Sequence, residues 1–114
     1  MTTQELPYAI VDTLEDKKGE DILLLDLRGV TELCDYFVIC TGTSDRMLDG
    51  LADDLVRKIR TSHQVKGQLE GRARDGWLLV DYGDVIVHLF SPDQRDYYAL
   101  EELWEGSKPL VHIQ

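Results

Sequence analysis

The sequence lacks several features that would assign a protein to a class at once. It has no apolar run close to the roughly 20 residues that a bilayer-spanning helix needs, and it begins without a charged-then-apolar signal pattern. Its two cysteines, Cys34 and Cys40, match no metal-binding spacing. We therefore expect a cytoplasmic protein with no membrane partner and with two free thiols.

Basic residues are also scarce. Twelve Lys and Arg stand against 22 Asp and Glu, which gives a net charge of −10. Such a surface repels phosphate backbones, so we expect no direct nucleic-acid partner, sequence-specific or not. The acidity either keeps the protein soluble or complements a basic protein partner, and composition alone does not decide between these interpretations.

Catalytic templates are missing as well. There is no glycine-rich phosphate loop with lysine, and the three histidines are too widely spaced for a zinc site. The turn over residues 42–44 (GTS) is weakly similar to a nucleotidyltransferase turn. That chemistry requires two metal-binding acids on a following strand, whereas the acid pair Asp53 and Asp54 falls within a predicted helix. We expect no cofactor and no enzyme activity. A degenerate nucleotidyltransferase-like nucleotide-binding enzyme is the alternative.

The stretch over residues 76–90 (GWLLVDYGDVIVHLF) predicts a β-hairpin, because two apolar runs flank Gly83 and Asp84. This turn pairs Tyr82 with Val85 and divides the side chains between two faces. One face, the Leu78 face, is apolar and belongs to the core: Leu78, Val80, Tyr82, Val85, Val87 and Leu89. The other, the Trp77 face, mixes apolar groups with an acid and an imidazole: Trp77, Leu79, Asp81, Ile86, His88 and Phe90.

The remaining periodicity predicts helices over residues 5–17, 45–62 and 93–105, and strands over 21–27 and 36–41. The order is αββαββα, an α/β fold in which three helices flank a mixed sheet in one domain over residues 1–114. A short strand near 68–70 and an edge strand over 110–114 fit the composition as additions. In the third helix, the aromatic and leucine side chains are expected to face inward: Tyr97, Leu100, Leu103 and Trp104.

Three helices are not expected to shield both faces of a four-stranded sheet. We expect the Trp77 face to stay open, because an exposed apolar patch containing Trp is typical of a protein-binding site. Cover by the first or third helix is the alternative. On this face, Asp81 and His88 are diagonal neighbours. They form either an acid–base pair or a hydrogen-bonding patch beside Trp77, and the lack of a nucleophile favours the patch.

Spaced motifs covering most of residues 5–105 recur in a fixed order: DYFVI over 35–39, GW at 76–77, DYGD over 81–84, VH at 87–88 and RxYYxLExLW over 95–104. Together they resemble the ribosomal silencing factor family, also called Iojap-like proteins. The resemblance implies a nucleotidyltransferase-like α/β fold without that fold's catalytic acids. It also implies a translational repressor, with organellar members acting in ribosome assembly.

The resemblance further implies that the chain binds the large ribosomal subunit through the ribosomal protein numbered fourteen. Occupying the intersubunit face would sterically block subunit association. A homodimer through the same surface is a further implication, and a regulatory dimerisation module unrelated to ribosomes is a third reading. The partner-binding residues expected from both lines of reasoning are Glu70, Trp77, Leu79, Asp81, Tyr82, His88 and Phe90. Of these, Trp77 and Leu79 form the apolar centre and the acids form a rim, while the orientation of the Tyr82 hydroxyl is left open.

Overall fold

In the computed structural model, which describes residues 5–99 and 106–114, six strands form one mixed sheet and three α-helices flank it. The helices are α1 (Glu5–Asp16), α2 (Asp45–His63) and α3 (Pro92–Tyr98). The strands are β1 (Glu20–Asp26), β2 (Tyr36–Thr41), β3 (Gln68–Arg72), β4 (Trp77–Asp81), β5 (Val85–Phe90) and β6 (Lys108–Ile113). The predicted α/β class, mixed sheet and three helices are confirmed. No helix within the described ranges has the length and hydrophobicity required to cross a bilayer.

The strands lie in the order β3-β4-β5-β2-β1-β6. The central pair, β5 and β2, is parallel, and every other neighbouring pair is antiparallel. The β4–β5 hairpin has the predicted register, with Val80 opposite Val87. Its turn is closed by a hydrogen bond of 2.9 Å from the Tyr82 amide to the Val85 carbonyl. Gly83 adopts a φ of 86°, which explains why glycine is suited to this position.

Helices α1 and α2 cover the Leu78 face of the sheet. The long helix begins at the predicted cap, because the Ser44 hydroxyl accepts a hydrogen bond of 3.1 Å from the Met47 amide. It buries the predicted apolar stripe against the sheet: Leu48, Leu51, Ala52, Leu55 and Ile59. These contacts form the main core and leave the opposite face of the sheet to α3 and the loops.

A second, smaller apolar cluster lies on the Trp77 face. It is formed by side chains of β1, β2, β5 and the loop that joins β1 to β2: Leu23, Leu25, Leu27, Cys34, Phe37, Ile39 and Phe90. Trp77 of β4 and Ile86 of β5 pack against it. Helix α3 reaches this cluster through Tyr98, whose ring lies 4.7 Å from the Trp77 ring and 5.9 Å from the Phe90 ring. Helix α3 therefore covers the Trp77 face only at the end of the hairpin where Trp77 and Phe90 lie.

The predicted order αββαββα counts four strands, and the two strands suggested as additions, near 68–70 and over 110–114, are both present as β3 and β6. All five residues of β3 are exposed, so this edge strand shows no alternation of apolar and polar residues. The predicted helix over 93–105 instead ends at Tyr98, because Ala99 adopts a φ of 45° and its amide bonds to the Arg95 carbonyl. The inward orientation predicted for Tyr97 is wrong, since its side chain is 78% exposed. The inward positions predicted for Leu100, Leu103 and Trp104 lie outside the described residues.

Candidate functional site

The burial of β4 alternates along the strand and shows which face of the sheet is open. Leu78 and Val80 are buried beneath the helices, whereas Trp77, Leu79 and Asp81 on the other side are only half-buried. On the neighbouring strand Ile86 is half-buried as well, although the residues on either side of it are buried. This pattern indicates that part of the Trp77 face is exposed to solvent within the single chain.

Strand β3 extends this face toward the edge of the sheet. Its register places Glu70 opposite Leu79 and Arg72 opposite Trp77, and both β3 residues are exposed. Side chains on directly opposed strand positions share a face, so Glu70 forms a charged edge beside the apolar centre. We call the resulting patch the open surface; it consists of Glu70, Trp77, Leu79, Asp81 and Ile86.

The Trp77 indole is held in place from several sides. Its Nε1 atom donates a hydrogen bond of 3.2 Å to Nδ1 of His88. The indole ring stacks on Phe90 with centroids 5.4 Å apart and contacts the Tyr98 ring at 4.7 Å. A half-buried aromatic side chain that is already fixed loses little conformational entropy when a partner covers it, which is the property expected of an interface anchor.

His88 lies behind the indole. It is 4% exposed, and its ring packs edge-on against Phe37 with centroids 4.6 Å apart. Burial lowers the pKa of His88 to about 4, so the imidazole is neutral at physiological pH. Because the indole nitrogen is only a donor, Nδ1 must be the acceptor and the proton resides on Nε2. That Nε2 atom is buried and makes no hydrogen bond within the described part of the chain.

The suggested acid–base pair between Asp81 and His88 does not form. His88 bonds to Trp77, while the Asp81 carboxylate accepts a hydrogen bond of 2.7 Å from the Gly83 amide and stabilises the hairpin turn. The hydrogen-bonding patch beside Trp77 exists, but it lies largely beneath the surface. Asp81 itself is half-buried on the open side of β4.

Three of the predicted binding residues lie behind the surface rather than on it. Phe90 is fully buried and His88 almost so, because the β1 and β2 side chains of the second cluster surround them. The Tyr82 ring belongs to the Leu78 face, packed beside Gly67, and its hydroxyl is buried without a hydrogen-bond partner among the described residues. Burial raises the pKa of Tyr82 to about 12. Phe90 and His88 therefore lie beneath the surface and Tyr82 lies on the other face of the sheet, whereas Glu70, Trp77, Leu79 and Asp81 lie on the surface.

One residue of the open surface, Ile86, and one residue beside it, Tyr98, were not among the predicted binding residues. Ile86 lies opposite Asp81 in the hairpin register, so its position followed from the predicted pairing, but it was not assigned a role. Tyr98 is 41% exposed and completes the aromatic packing around Trp77. Its sequence neighbourhood gives no sign of this contact, because the contact depends on where α3 crosses the end of the sheet.

The turn over residues 42–44, the region similar to a nucleotidyltransferase turn, uses its polar groups locally. The Ser44 hydroxyl caps α2, and the Thr43 amide lies 3.3 Å from the Met47 sulfur. On the helix, Asp54 forms an ion pair of 3.8 Å with Arg57, while Asp53 is exposed to solvent. The two acids therefore do not converge on the turn.

Comparison with known proteins identifies a family. The model of the family described as "ribosomal silencing factor during starvation" (RsfS) matches residues 1–114. A ribosomal silencing factor of Halalkalibacterium halodurans is 37% identical over 114 residues, covering 100% of this chain and 97% of that protein. A mouse protein named "mitochondrial assembly of ribosomal large subunit protein 1" is 37% identical over 100 residues, covering 83% of this chain and 43% of that protein.

The fold agrees with the same assignment. A crystal structure of a Chromobacterium violaceum protein superposes with a TM-score of 0.86 at 38% sequence identity, covering 100% of this chain and 95% of that one. The family model covers every element described above, including the hairpin that carries the open surface. The chain therefore belongs to the ribosomal silencing factor family.

Proposed function

We propose that this protein represses translation in the cytoplasm by binding the large ribosomal subunit through the open surface. The partner is the ribosomal protein numbered fourteen, on the face of the large subunit that meets the small subunit. The bound protein then blocks subunit association sterically, so no catalytic step is required. Membership of the ribosomal silencing factor family supports the ribosome as the target, and the name of the mouse relative supports the large subunit.

The observation that carries this proposal is the half-burial of Trp77 and Leu79 on one face of β4, whereas Leu78 and Val80 on the other face are buried beneath the helices. A folded chain gains by covering such apolar area, and here its own helices α1 and α2 lie on the other side of the sheet. Trp is also among the side chains that most often dominate binding energy at interfaces. The open surface therefore has the composition of an interface centre.

The charges around this centre favour a basic protein. Glu70 lies opposite Leu79 and Asp81 lies two positions along the strand from it, whereas one base, Arg72, lies opposite Trp77. The chain as a whole carries a net charge of −10. The acidic rim attracts lysine and arginine side chains, while the overall charge repels the surrounding RNA phosphates. This combination favours one protein site on the subunit over general adhesion to the ribosome.

The test is substitution of the anchor. Trp77→Glu places a charge at the centre of the interface, and we expect it to weaken binding by several kcal/mol while the isolated protein stays folded, since Trp77 is only half-buried. The measurement is co-sedimentation with purified large subunits, with circular dichroism as the check on folding. Leu69→Glu is a matched control, because Leu69 lies on the adjacent strand opposite Val80 and so faces the other side. Normal co-sedimentation of folded Trp77→Glu protein would show that the docking surface is wrong.

A nucleotide-binding enzyme is the competing function, and a titration separates the two. Isothermal titration with nucleoside triphosphates and Mg²⁺ is expected to give no saturable heat, because the acids on α2 do not converge on the turn over residues 42–44. A saturable signal would favour the enzyme.

We also propose that free protein forms a homodimer through the open surface. Two copies would then cover each other's Trp77 in the absence of ribosomes. Sedimentation velocity is expected to show a dimer that Trp77→Glu dissociates. If the variant dimerises like the unaltered protein, the contact between copies lies elsewhere.

A further inference from the structure

The open surface does not stop at the sheet but continues onto α3. Tyr98 contacts the Trp77 ring at 4.7 Å, and Tyr97 in turn contacts Tyr98 edge-on, with centroids 5.0 Å apart and planes at 86°. Tyr97 is 78% exposed and Tyr98 is 41% exposed. A chain of aromatic rings therefore runs from the half-buried anchor Trp77 to an almost fully exposed ring at the end of the helix.

The exposure of Tyr97 is not required by the fold. Its only ring contact within the described residues is with Tyr98, and none of the core clusters includes it. Among the described residues it is the most exposed of the large apolar side chains. A large ring held in solvent beside an interface anchor is most simply explained by contact with whatever covers that anchor.

The charges on α3 indicate what that contact is. Its one basic residue, Arg95, is 6% exposed and points inward, where it bonds to the Thr41 hydroxyl at 2.8 Å. Asp93 and Asp96 are exposed and form no ion pair with any residue in the described ranges. The accessible side of α3 is consequently aromatic and acidic, with no accessible cation.

Asp93 and Tyr97 are four positions apart on α3, so they lie on the same side of the helix, one turn from each other. A carboxylate one turn from an aromatic ring suits a guanidinium group. The carboxylate accepts its N–H donors, while the ring attracts the delocalised charge through its π face. A phosphate would be repelled by both aspartates, so a basic protein segment fits this side of the helix better than RNA does.

We propose that Tyr97 and Asp93 bind an arginine side chain of the protein docked on the open surface. The inference rests on the proposed function and adds a second recognition point to it. Trp77 provides the apolar anchor of the interface. Tyr97 and Asp93, connected to it through Tyr98, then select a partner that presents an arginine beside the apolar contact.

The experiment measures the affinity of purified large ribosomal subunits for four single-residue variants. Tyr97→Ala is expected to weaken binding about fivefold to tenfold, as for loss of an interface cation–π contact. Tyr97→Phe, which keeps the ring, is expected to bind like the unaltered protein. Asp93→Asn should weaken binding and should also reduce its sensitivity to salt. Tyr8→Ala is the matched control, because Tyr8 is an exposed tyrosine of α1, on the opposite side of the sheet.

Melting temperatures of the variants separate folding from binding. The proposal is overturned if Tyr97→Ala binds like Tyr8→Ala, or if Tyr97→Phe loses as much affinity as Tyr97→Ala. If Trp77→Glu abolishes binding while Tyr97→Ala leaves it unchanged, the docking surface stands and only the arginine site fails. If neither substitution weakens binding, both the docking surface and this proposal are wrong.

Discussion

The indole Nε1 of Trp77 lies 3.2 Å from Nδ1 of His88, so a half-buried aromatic side chain of the sheet is hydrogen-bonded to a buried, neutral histidine. The two residues belong to adjacent strands but are not directly opposite each other; Trp77 pairs with Phe90 and His88 with Leu79. The bond therefore runs diagonally across the hairpin and fixes the orientation of the indole. Protonation of His88 at Nδ1 would break it, because two donors would then face each other.

The first prediction concerns pH. The pKa of His88 is about 4 in the folded chain, lowered by burial from 6.5, so the unfolded chain binds the proton more tightly. The contribution of neutral His88 to stability is present above about pH 6.5 and is lost as the pH falls from there to 4. Below pH 4 it no longer changes. The expected loss across this window is about 3 kcal/mol.

Urea unfolding at several pH values measures this effect against a variant that does not titrate. His88→Asn retains an acceptor for the indole but cannot be protonated, whereas every other titratable group is the same in both proteins. The difference in unfolding free energy between the two proteins should shrink as the pH falls from 7 to 4. A difference that stays constant over that range would contradict the assignment of His88 as a buried, neutral group.

The second prediction uses two adjacent leucines that differ in the face they occupy. Leu79→Lys places a cation on the half-buried open side of β4, so the protein should fold but lose at least about 100-fold in affinity for large subunits through repulsion of a basic partner. Leu78→Lys places the same cation in the main core, and the protein should unfold. Circular dichroism and co-sedimentation measure the two effects. If both variants unfolded to the same extent, Leu79 would be as buried as Leu78, and the assignment of Leu79 to an exposed surface would be wrong.

Most of the fold and half of the site followed from local patterns in the sequence. The two-residue turn at Gly83 fixes the hairpin register, and the register divides the faces, so Trp77, Leu79 and Asp81 were placed correctly. The burial of Phe90 had no local signal. It depends on β1 and β2 side chains such as Leu23 and Ile39, which reach it only through the parallel pairing of β2 with β5.

Strand β3, which the sequence suggested only as an addition near residues 68–70, has a different explanation. An edge strand such as β3 needs no apolar face of its own, because hydrogen bonding to β4 alone holds it in the sheet. Its sequence, QLEGR, therefore lacks the alternation that predicts a strand. The exposure of Tyr97 was missed because the helix was predicted to continue beyond Ala99. In such a longer helix, Tyr97 and the later apolar residues would form a single inward-facing stripe, whereas Ala99 adopts a φ of 45° and ends the helix.

The third prediction concerns the two cysteines, which are free, as predicted, and which the structure shows to be buried. Burial raises the pKa of Cys34 to about 11 and that of Cys40 to about 12, so almost no reactive thiolate is present at pH 8. The native protein should therefore react slowly with a thiol reagent such as dithiobis(nitrobenzoate). In about 6 M urea, which is of the order used to unfold small domains, both thiols should react promptly. Rapid labelling of one thiol in the native state would show that its region opens readily.

The last prediction concerns Arg95, which fastens α3 to the end of the sheet that carries Phe90, because its partner Thr41 lies opposite Phe90. Its guanidinium donates to the backbone carbonyl of Asp21 and, at 2.8 Å, to the Thr41 hydroxyl, and it lies 3.6 Å from the Asp21 carboxylate. Arg95→Ala removes a buried donor group and leaves these acceptors without it, so unfolding free energy should fall by about 3 kcal/mol.

Arg57→Ala is the control, because Arg57 makes a comparable ion pair with Asp54 at 3.8 Å but on the solvent-exposed side of α2. That variant should lose less than about 1 kcal/mol. Because Arg95 holds the helix whose Tyr98 packs against Trp77, its loss should also weaken binding to large subunits in protein that is still folded. Equal stability losses for the two arginine variants would mean that the buried contacts of Arg95 do not anchor α3, and the support of the indole by Tyr98 would then need another origin.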